Sequence, residues 1–311
     1  MGDWLKDKVA VITGAGNGIG RAVAAVFAEE GAKIVVNDLG GSSKGEGASK
    51  QAADLVADEI KKRGGKAVAN YDSVATMQGG ERIIKTAIDA FGRIDILVTC
   101  AGILRDRMVF NMTEQEWDGV LNTHLKGTFA CAKPASIVMR QQRSGRIITF
   151  TSTSGLYGNT GQANYSSAKG GIAGFTKAAA LDLGRYGITV NAIAPMAGTR
   201  MTLTDEYFAA REKRAQLGVK REGFGFDPKV EDMQPDDVAP VVAYVASDAA
   251  AYINGQVIFI GGGVCSWVAP PRAVKTIYKE SPWTVDELIE WVPNTLMVGV
   301  TNPAPPPAEQ K

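Results

Sequence analysis

Residues Thr13–Gly20, T-G-A-G-N-G-I-G, constrain the fold more than any other stretch of this chain. They stand between an apolar run, V9-A-V-I, and an alanine-rich run, R21-A-V-A-A-V-F-A-E-E, that ends at Gly31. Strand, glycine turn and helix in that order form the first half of a βαβ unit, the building block of a parallel sheet. Glycines at 14, 16, 18 and 20 permit a tight turn and let the backbone approach a pyrophosphate. The anion then sits at a helix N-terminus, where unpaired N–H groups point outward, with Asn17 and Ile19 filling the positions between glycines. The spacing is G-x-x-x-G-x-G, not the G-x-G-x-x-G of many dinucleotide folds. A merely flexible loop is the weaker alternative, because a strand precedes it and a helix follows.

The alternation continues along the chain. Strands are expected near 8–13, 33–38, 66–71, 94–99, 146–151, 188–193 and 256–261, and helices near 19–30, 48–63, 77–91, 113–142, 162–185 and 235–248. This predicts an α/β fold: a doubly wound, Rossmann-type parallel sheet of seven strands with helices on both faces. The second strand, K33-I-V-V-N, ends at Asp38, eighteen residues beyond Gly20. A carboxylate there accepts hydrogen bonds from ribose hydroxyls and repels a 2′-phosphate, so NAD is favoured over NADP. Lys44, in the following loop G40-G-S-S-K-G-E-G, is placed to offset part of a phosphate's charge. An aspartate that simply caps the next helix is the plain alternative for Asp38.

Tyr165 and Lys169, in Y-S-S-A-K, are four residues apart and therefore neighbours on one helical face. A free tyrosine keeps its proton until about pH 10, so proton transfer near neutrality needs a nearby cation, and Lys169 is expected to lower the phenol's pKa. Ser152 lies thirteen residues upstream, directly after the apolar run R146-I-I-T-F-T. A bare Y-x-x-x-K is common on surface helices; hydroxyl, phenol and ammonium behind a buried strand form a proton relay.

On the glycine loop, Asp38 and the Ser152, Tyr165 and Lys169 set, the chain is identified as a member of the short-chain dehydrogenase/reductase superfamily over roughly residues 1–263. The resemblance implies strand order 3-2-1-4-5-6-7. It gives Tyr165 the role of general acid/base, Ser152 a hydrogen bond to the substrate oxygen, and Lys169 a contact to the nicotinamide ribose. It places Asp72, with Ser73, at an adenine pocket and Ala101 and Gly102 against the cofactor. The backbone of Ile193 is implied to orient the carboxamide. Thr199 follows A194-P-M-A-G, one residue earlier than the pattern places its threonine. Thr99 and Cys100 replace two asparagines of the family's N-N-A-G, removing the usual bracing of the central sheet. His124, in H-L-K-G, stands where the family usually has the catalytic asparagine, and is either a participant through backbone or ring or a satisfied core histidine.

The strings V35-V-N-D-L-G-G, R63-G-G-K-A-V-A-N-Y-D-S-V, A101-G-I-L-R-D-R and Q234-P-D-D-V-A-P resemble the (3R)-hydroxyacyl-CoA dehydrogenase domains of peroxisomal multifunctional enzymes. The resemblance implies a small-molecule secondary alcohol as substrate, an acyl-CoA first among candidates. A 17β-hydroxysteroid or another alcohol is the alternative, and a dinucleotide-binding regulator without turnover is the alternative of another class. In this family the 113–142 and 162–185 helices build homodimers and homotetramers.

Lys+Arg and Asp+Glu nearly cancel, 34 against 33, and no basic stripe stands out, so nucleic acid is not an expected partner. No apolar run reaches the roughly 20 residues that span a bilayer, and the N-terminus lacks a signal-peptide core. With three isolated cysteines and one histidine, neither a disulfide frame nor a metal site is expected. The ending A308-E-Q-K lacks a peroxisomal address, so the expected setting is cytoplasmic. Residues 199–234 read as a substrate lid, its basic residues Arg211, Lys213, Arg214, Lys220 and Arg221 forming either a solvated face or a phosphate clamp. Residues 1–263 are expected to form one catalytic domain and 264–311 an extension, with S281-P-W-T-V-D-E-L-I-E-W-V a capped helix ahead of a mobile proline-rich tail.

Overall fold

The computed structural model describes residues 2–204, 208–209, 212 and 229–303. Two units are distinguished, Met1–Val268 and Ala269–Lys311.

In the first unit, strands β1 (Val9–Thr13), β2 (Lys33–Asn37), β3 (Lys66–Asn70), β4 (Ile96–Thr99), β5 (Gly145–Phe150), β6 (Ile188–Met196), β7 (Val257–Gly261) and β8 (Val264–Val268) form one sheet. Its order is β3-β2-β1-β4-β5-β6-β7-β8, parallel as far as β7. The strands are short apolar runs because both faces of the sheet are covered. Along β1 the side chains alternate between two cores: Ala10 and Ile12 face one with Val23, Phe27 and Ile34, and Val9 and Val11 face the other with Ile83, Leu97 and Met139. Full burial of a side chain such as Phe27 contributes roughly 1.5–3 kcal/mol.

The eighth strand corrects the expectation of seven. Gly262 and Gly263 form a two-residue hairpin loop, with Gly262 at φ +51°. A positive φ at the first loop position matches the twist of antiparallel strands. V264-C-S-W-V then pairs antiparallel with β7.

Around the sheet run helices α1 (Gly18–Glu29), α2 (Gln51–Lys62), α3 (Met77–Phe91), α4 (Glu114–Leu121), α5 (Gly127–Gln142), α6 (Thr153–Tyr157), α7 (Ala163–Leu183) and α8 (Ala239–Ala246). The single helix expected at 113–142 is interrupted. Thr113 starts α4 with a capping box to Glu116, but Asn122–Lys126 form a π-helical turn before α5 begins. Thr123 Oγ1 donates to the Gly119 carbonyl at 2.8 Å, a back-bond that competes with the helical ladder where the phase changes. The helix expected at 235–248 is likewise shorter, because Pro235–Asp237 form a 3₁₀ turn ahead of α8.

In the second unit, Thr284 caps helix α9 (Val285–Asn294) through a capping box with Glu287, as T-V-D-E predicts. Trp283 and Trp291 meet edge to face at 5.7 Å. Among the described residues no helix is long and apolar enough to cross a membrane.

Candidate active site

The order of the strands reverses between β1 and β4, and there the carboxyl ends of parallel strands leave a crevice suited to ligands. Thr13 at the end of β1 is in register with Asn37 of β2 and Thr99 of β4. The residues that follow, Gly14, Asp38 and Cys100, therefore emerge side by side. Asn37 is in register with Asn70 of β3, which puts Asp72 one strand beyond Asp38.

Gly14 and Gly18 take φ +66° and +52°, conformations costly for other residues. A Cβ on Gly14 would stand 2.7 Å from Ala101 Cα, whereas one on Gly18 would meet only Thr199, at 3.7 Å. The loop is thus packed on one side and open on the other. Asn17 at the N-cap makes no side-chain cap, and no acid lies in the first turn of α1. Among the described residues no acid and no side-chain cap occupies this helix end. A pyrophosphate would fit that place, with Gly16, Asn17, Gly18, Ile19 and Thr199 the residues that would hold it.

Asp38 is half-buried, and its two oxygens accept from Gly16 N at 2.8 Å and Gly40 N at 2.7 Å. Each oxygen keeps a lone pair for a ribose hydroxyl. Among the described residues no basic side chain forms an ion pair with it, and Lys44 is exposed. Asp72 is braced, accepting from Asn70 Nδ2 at 2.9 Å and Arg82 Nε at 2.6 Å. Ser73 Oγ accepts from Ala75 N. Ile193 is fully buried, and its carbonyl accepts from Thr151 N at 2.8 Å. Of the substituted pair after β4, Thr99 keeps a brace by accepting from Thr128 Oγ1 at 3.3 Å. The Cys100 thiol is pushed up to about 11 by burial.

The structure brings Ser152, Tyr165 and Lys169 together. Ser152 caps α6, its Oγ accepting from Ser154 N at 3.1 Å, and its hydroxyl is near enough to the Tyr165 phenol to pull the phenol's pKa down. Lys169 Nζ lies 5.6 Å from the centre of the Tyr165 ring and donates to the Phe150 carbonyl at 2.6 Å. Thr151 Oγ1 donates to the Lys169 carbonyl at 2.8 Å, pinning α7 to the end of β5.

The electrostatics differ from the expectation that Lys169 simply lowers the tyrosine's pKa. Burial pushes Tyr165 up to about 12, against the downward pull of the Ser152 hydroxyl. Burial also brings Lys169 down to about 8. Each charge alone is disfavoured by the same dry site. A phenolate and an ammonium formed together would attract each other strongly there.

His124 lies at the middle of the π turn and is 2% exposed. Its Nε2 lies 3.0 Å from Ile103 N and 2.8 Å from the Ile103 carbonyl oxygen, accepting from the one or donating to the other according to the tautomer, and among the described residues Nδ1 has no hydrogen-bond partner. Burial first, then the Lys169 charge, brings its pKa down to about 3, so the ring is neutral. It is a core histidine satisfied on one edge only. A Cβ on Gly102 would stand 2.3 Å from His124 Cε1, so glycine at 102 makes room for the imidazole.

Two buried amides beside the tyrosine were not singled out from sequence. Asn164 Oδ1 accepts from Tyr165 N at 2.7 Å, and its Nδ2 donates to the carbonyls of Arg105 and Glu116. Gln162 Nε2 donates to Asp106 Oδ2 at 2.7 Å, and its Oε1 accepts from Ser154 Oγ and Asn159 Nδ2. Their place in Q162-A-N-Y, at the start of a helix where amides lack intrahelical partners, is the signal that pointed to them. In the segment read as a lid, Thr199 N donates to Thr202 Oγ1 at 2.7 Å and Gly198 N to the Met233 carbonyl at 2.7 Å. Arg211, Lys213, Arg214, Lys220 and Arg221 lie outside the described residues.

Comparison with known proteins agrees with this geometry. The short chain dehydrogenase family model matches residues 8–210. Peroxisomal multifunctional enzyme type 2 of Drosophila melanogaster is 47% identical over 256 residues, covering 82% of this chain but only 39% of that protein's length. A short-chain type dehydrogenase/reductase of Mycobacterium tuberculosis is 42% identical over 296 residues, 95% of this chain and 96% of that one. The crystal structure of a short chain dehydrogenase from Mycobacterium avium superposes with a TM-score of 0.79 at 37% identity, covering 97% of this chain and 98% of that one.

Proposed function

Because this chain belongs to the short chain dehydrogenase family, a family of oxidoreductases, we propose that it interconverts a secondary alcohol and a ketone with NAD, with 3-hydroxyacyl-CoA thioesters as the preferred alcohols. The observation that carries the reading is the Tyr165 phenol, near the Ser152 hydroxyl and one helical turn from Lys169, on the same chain as the glycine-lined N-terminus of α1 that no side chain of α1 caps. When bound, a nicotinamide dinucleotide supplies the hydride acceptor. The residues of the chain move the proton. Ser152 holds the substrate oxygen against Tyr165 by a hydrogen bond that strengthens as negative charge develops. Tyr165 takes the hydroxyl proton during oxidation and returns it during reduction. Lys169 keeps a positive charge beside the phenol below about pH 8 and offsets the cost of a buried phenolate.

The carboxylate of Asp38, which forms no ion pair among the described residues, supports NAD over NADP, since a 2′-phosphate there would meet a like charge in a half-buried position. The acyl-CoA reading rests on A101-G-I-L-R-D-R and V35-V-N-D-L-G-G, strings that resemble the hydroxyacyl-CoA subgroup. The Ser152, Tyr165 and Lys169 set argues against a regulator without turnover, because binding a dinucleotide requires no proton relay. Association through the α4–α5 and α7 helices into a homodimer or homotetramer belongs to the same proposal.

The test is NADH absorbance with a panel of 3-hydroxyacyl-CoA, steroid and small secondary alcohols. The expected result is the highest kcat/KM on the full CoA thioester, above its pantetheine-truncated analogue. Equal values on the two would leave a generic alcohol pocket, and no turnover on any of them would sink the dehydrogenase reading.

A further inference from the structure

We propose that Arg105 is a positioning residue that joins the loop reading the cofactor's ribose, residues 40–49, to the first turn of α7, so that filling the nucleotide site fixes Tyr165 in place. The inference rests on the dinucleotide reading above and goes beyond it.

The loop begins at Asp38, whose Oδ1 accepts from Gly40 N. Its far limb is held by the segment that follows β4: Leu104 N donates to the Ser43 carbonyl at 2.9 Å, and Arg105 Nε donates to the Lys44 carbonyl at 3.0 Å. From the same guanidinium, Nη1 donates to the Gln115 carbonyl of α4 at 3.0 Å. One planar fork therefore ties two elements together through acceptors on different sides. A lysine ammonium, being a single point charge, does not reproduce that geometry. The fork lies against Gly119 of α4, where a Cβ would stand 2.7 Å from Nη1.

The backbone of this segment reaches the tyrosine by two routes. The Arg105 carbonyl accepts from Asn164 Nδ2 at 2.9 Å, and Asn164 Oδ1 holds the Tyr165 amide. Tyr165 N belongs to the first turn of α7, where amides have no intrahelical acceptor, so Asn164 sets how that turn sits. Two residues earlier, the backbone of Ile103 hydrogen-bonds His124 Nε2, and the His124 ring abuts the Tyr165 ring. Residues 103–105 thus touch the nucleotide loop on one side, and on the other reach the backbone of Tyr165 through Asn164 and its ring through His124.

The probe is ADP-ribose, which carries the adenosine, the pyrophosphate and a ribose but no nicotinamide, so the readout is independent of turnover. In the unmodified chain, ADP-ribose is expected to slow amide hydrogen exchange both in 40–49 and in 163–169. In Arg105→Met the slowing at 40–49 persists while that at 163–169 falls at least fivefold, and kcat drops about tenfold, with the KM for the alcohol changing less than threefold. Gly119→Ala, which favours the helix while displacing the guanidinium, is expected to uncouple the two segments in the same way, and decides the matter if Arg105→Met is poorly folded. Equal protection of 163–169 in the unmodified chain and both variants overturns the joint alone. Failure of ADP-ribose to bind the unmodified chain overturns the dinucleotide reading and the joint with it.

Discussion

The ring of His124 stands edge-on to the ring of Tyr165, with centroids 5.2 Å apart and planes at 87°. An imidazole held neutral by burial therefore forms one wall around the phenol, and Gly102 leaves the space it occupies. The surroundings of Tyr165 are consequently uncharged on one side and cationic on the other.

Tyr165→Phe keeps the ring's packing and removes the transferable proton. The expected result is a loss of at least about 10²-fold in kcat, with NAD affinity within a few-fold. Single-turnover kinetics and fluorescence titration separate the two quantities, and a variant retaining a tenth of kcat would exclude Tyr165 as the acid/base.

Lys169, brought down to about 8, loses its charge at moderately alkaline pH. In the reductive direction kcat/KM is expected to fall above about pH 8. Lys169→Arg keeps a permanent charge, and its residual kcat/KM is expected to stay flat to pH 10. A pH–rate profile on both proteins checks this, and identical alkaline limbs would assign the titration elsewhere.

His124 titrates near 6.5 when unfolded and near 3 when folded, so between those values the unfolded chain binds the extra proton. The stability associated with the neutral ring is complete above the unfolded value and is lost as pH falls from 6.5 towards 3. Between pH 7 and pH 5 the loss is about 2 kcal/mol. Urea unfolding at both pH values is expected to show His124→Asn losing about that much less than the unmodified chain.

Gly102→Ala drives a methyl group into the His124 ring, at an expected cost of about 1–3 kcal/mol. The double variant with His124→Ala has room for the methyl, so its loss of stability should be smaller than the sum of the separate losses. Additive losses in denaturation would show that the two residues are not in contact.

Asp38→Ala removes both a ribose acceptor and a charge that repels a 2′-phosphate. The ratio of kcat/KM for NAD to that for NADP should fall at least about tenfold, equivalent to 1.4 kcal/mol. An unchanged ratio would move cofactor choice to another residue, with Lys44 the first to examine.

The sequence by itself determined the features that are local along the chain. Alternating apolar and helical periods gave the order of strands and helices, because period and burial are properties of neighbouring residues. The glycine turn, the acid ending β2, and the Tyr165 and Lys169 pair were legible for the same reason, each needing only a few residues in a fixed conformation. Strand β8 was not among the seven expected from sequence, although the Gly-Gly pair at 262–263 is of the kind that joins two strands in a hairpin. The tertiary structure decided what depends on distant contacts and on dielectric. The interruption of the 113–142 helix at His124 has no distinctive spacing, since the ring turns inward to meet Gly102 and Ile103, about twenty residues away. The bond from Arg105 to the carbonyl of Lys44 spans 61 residues. The upward shift of Tyr165 and the downward shift of Lys169 are not legible in their spacing, because the cost of a buried charge is set by everything packed around it.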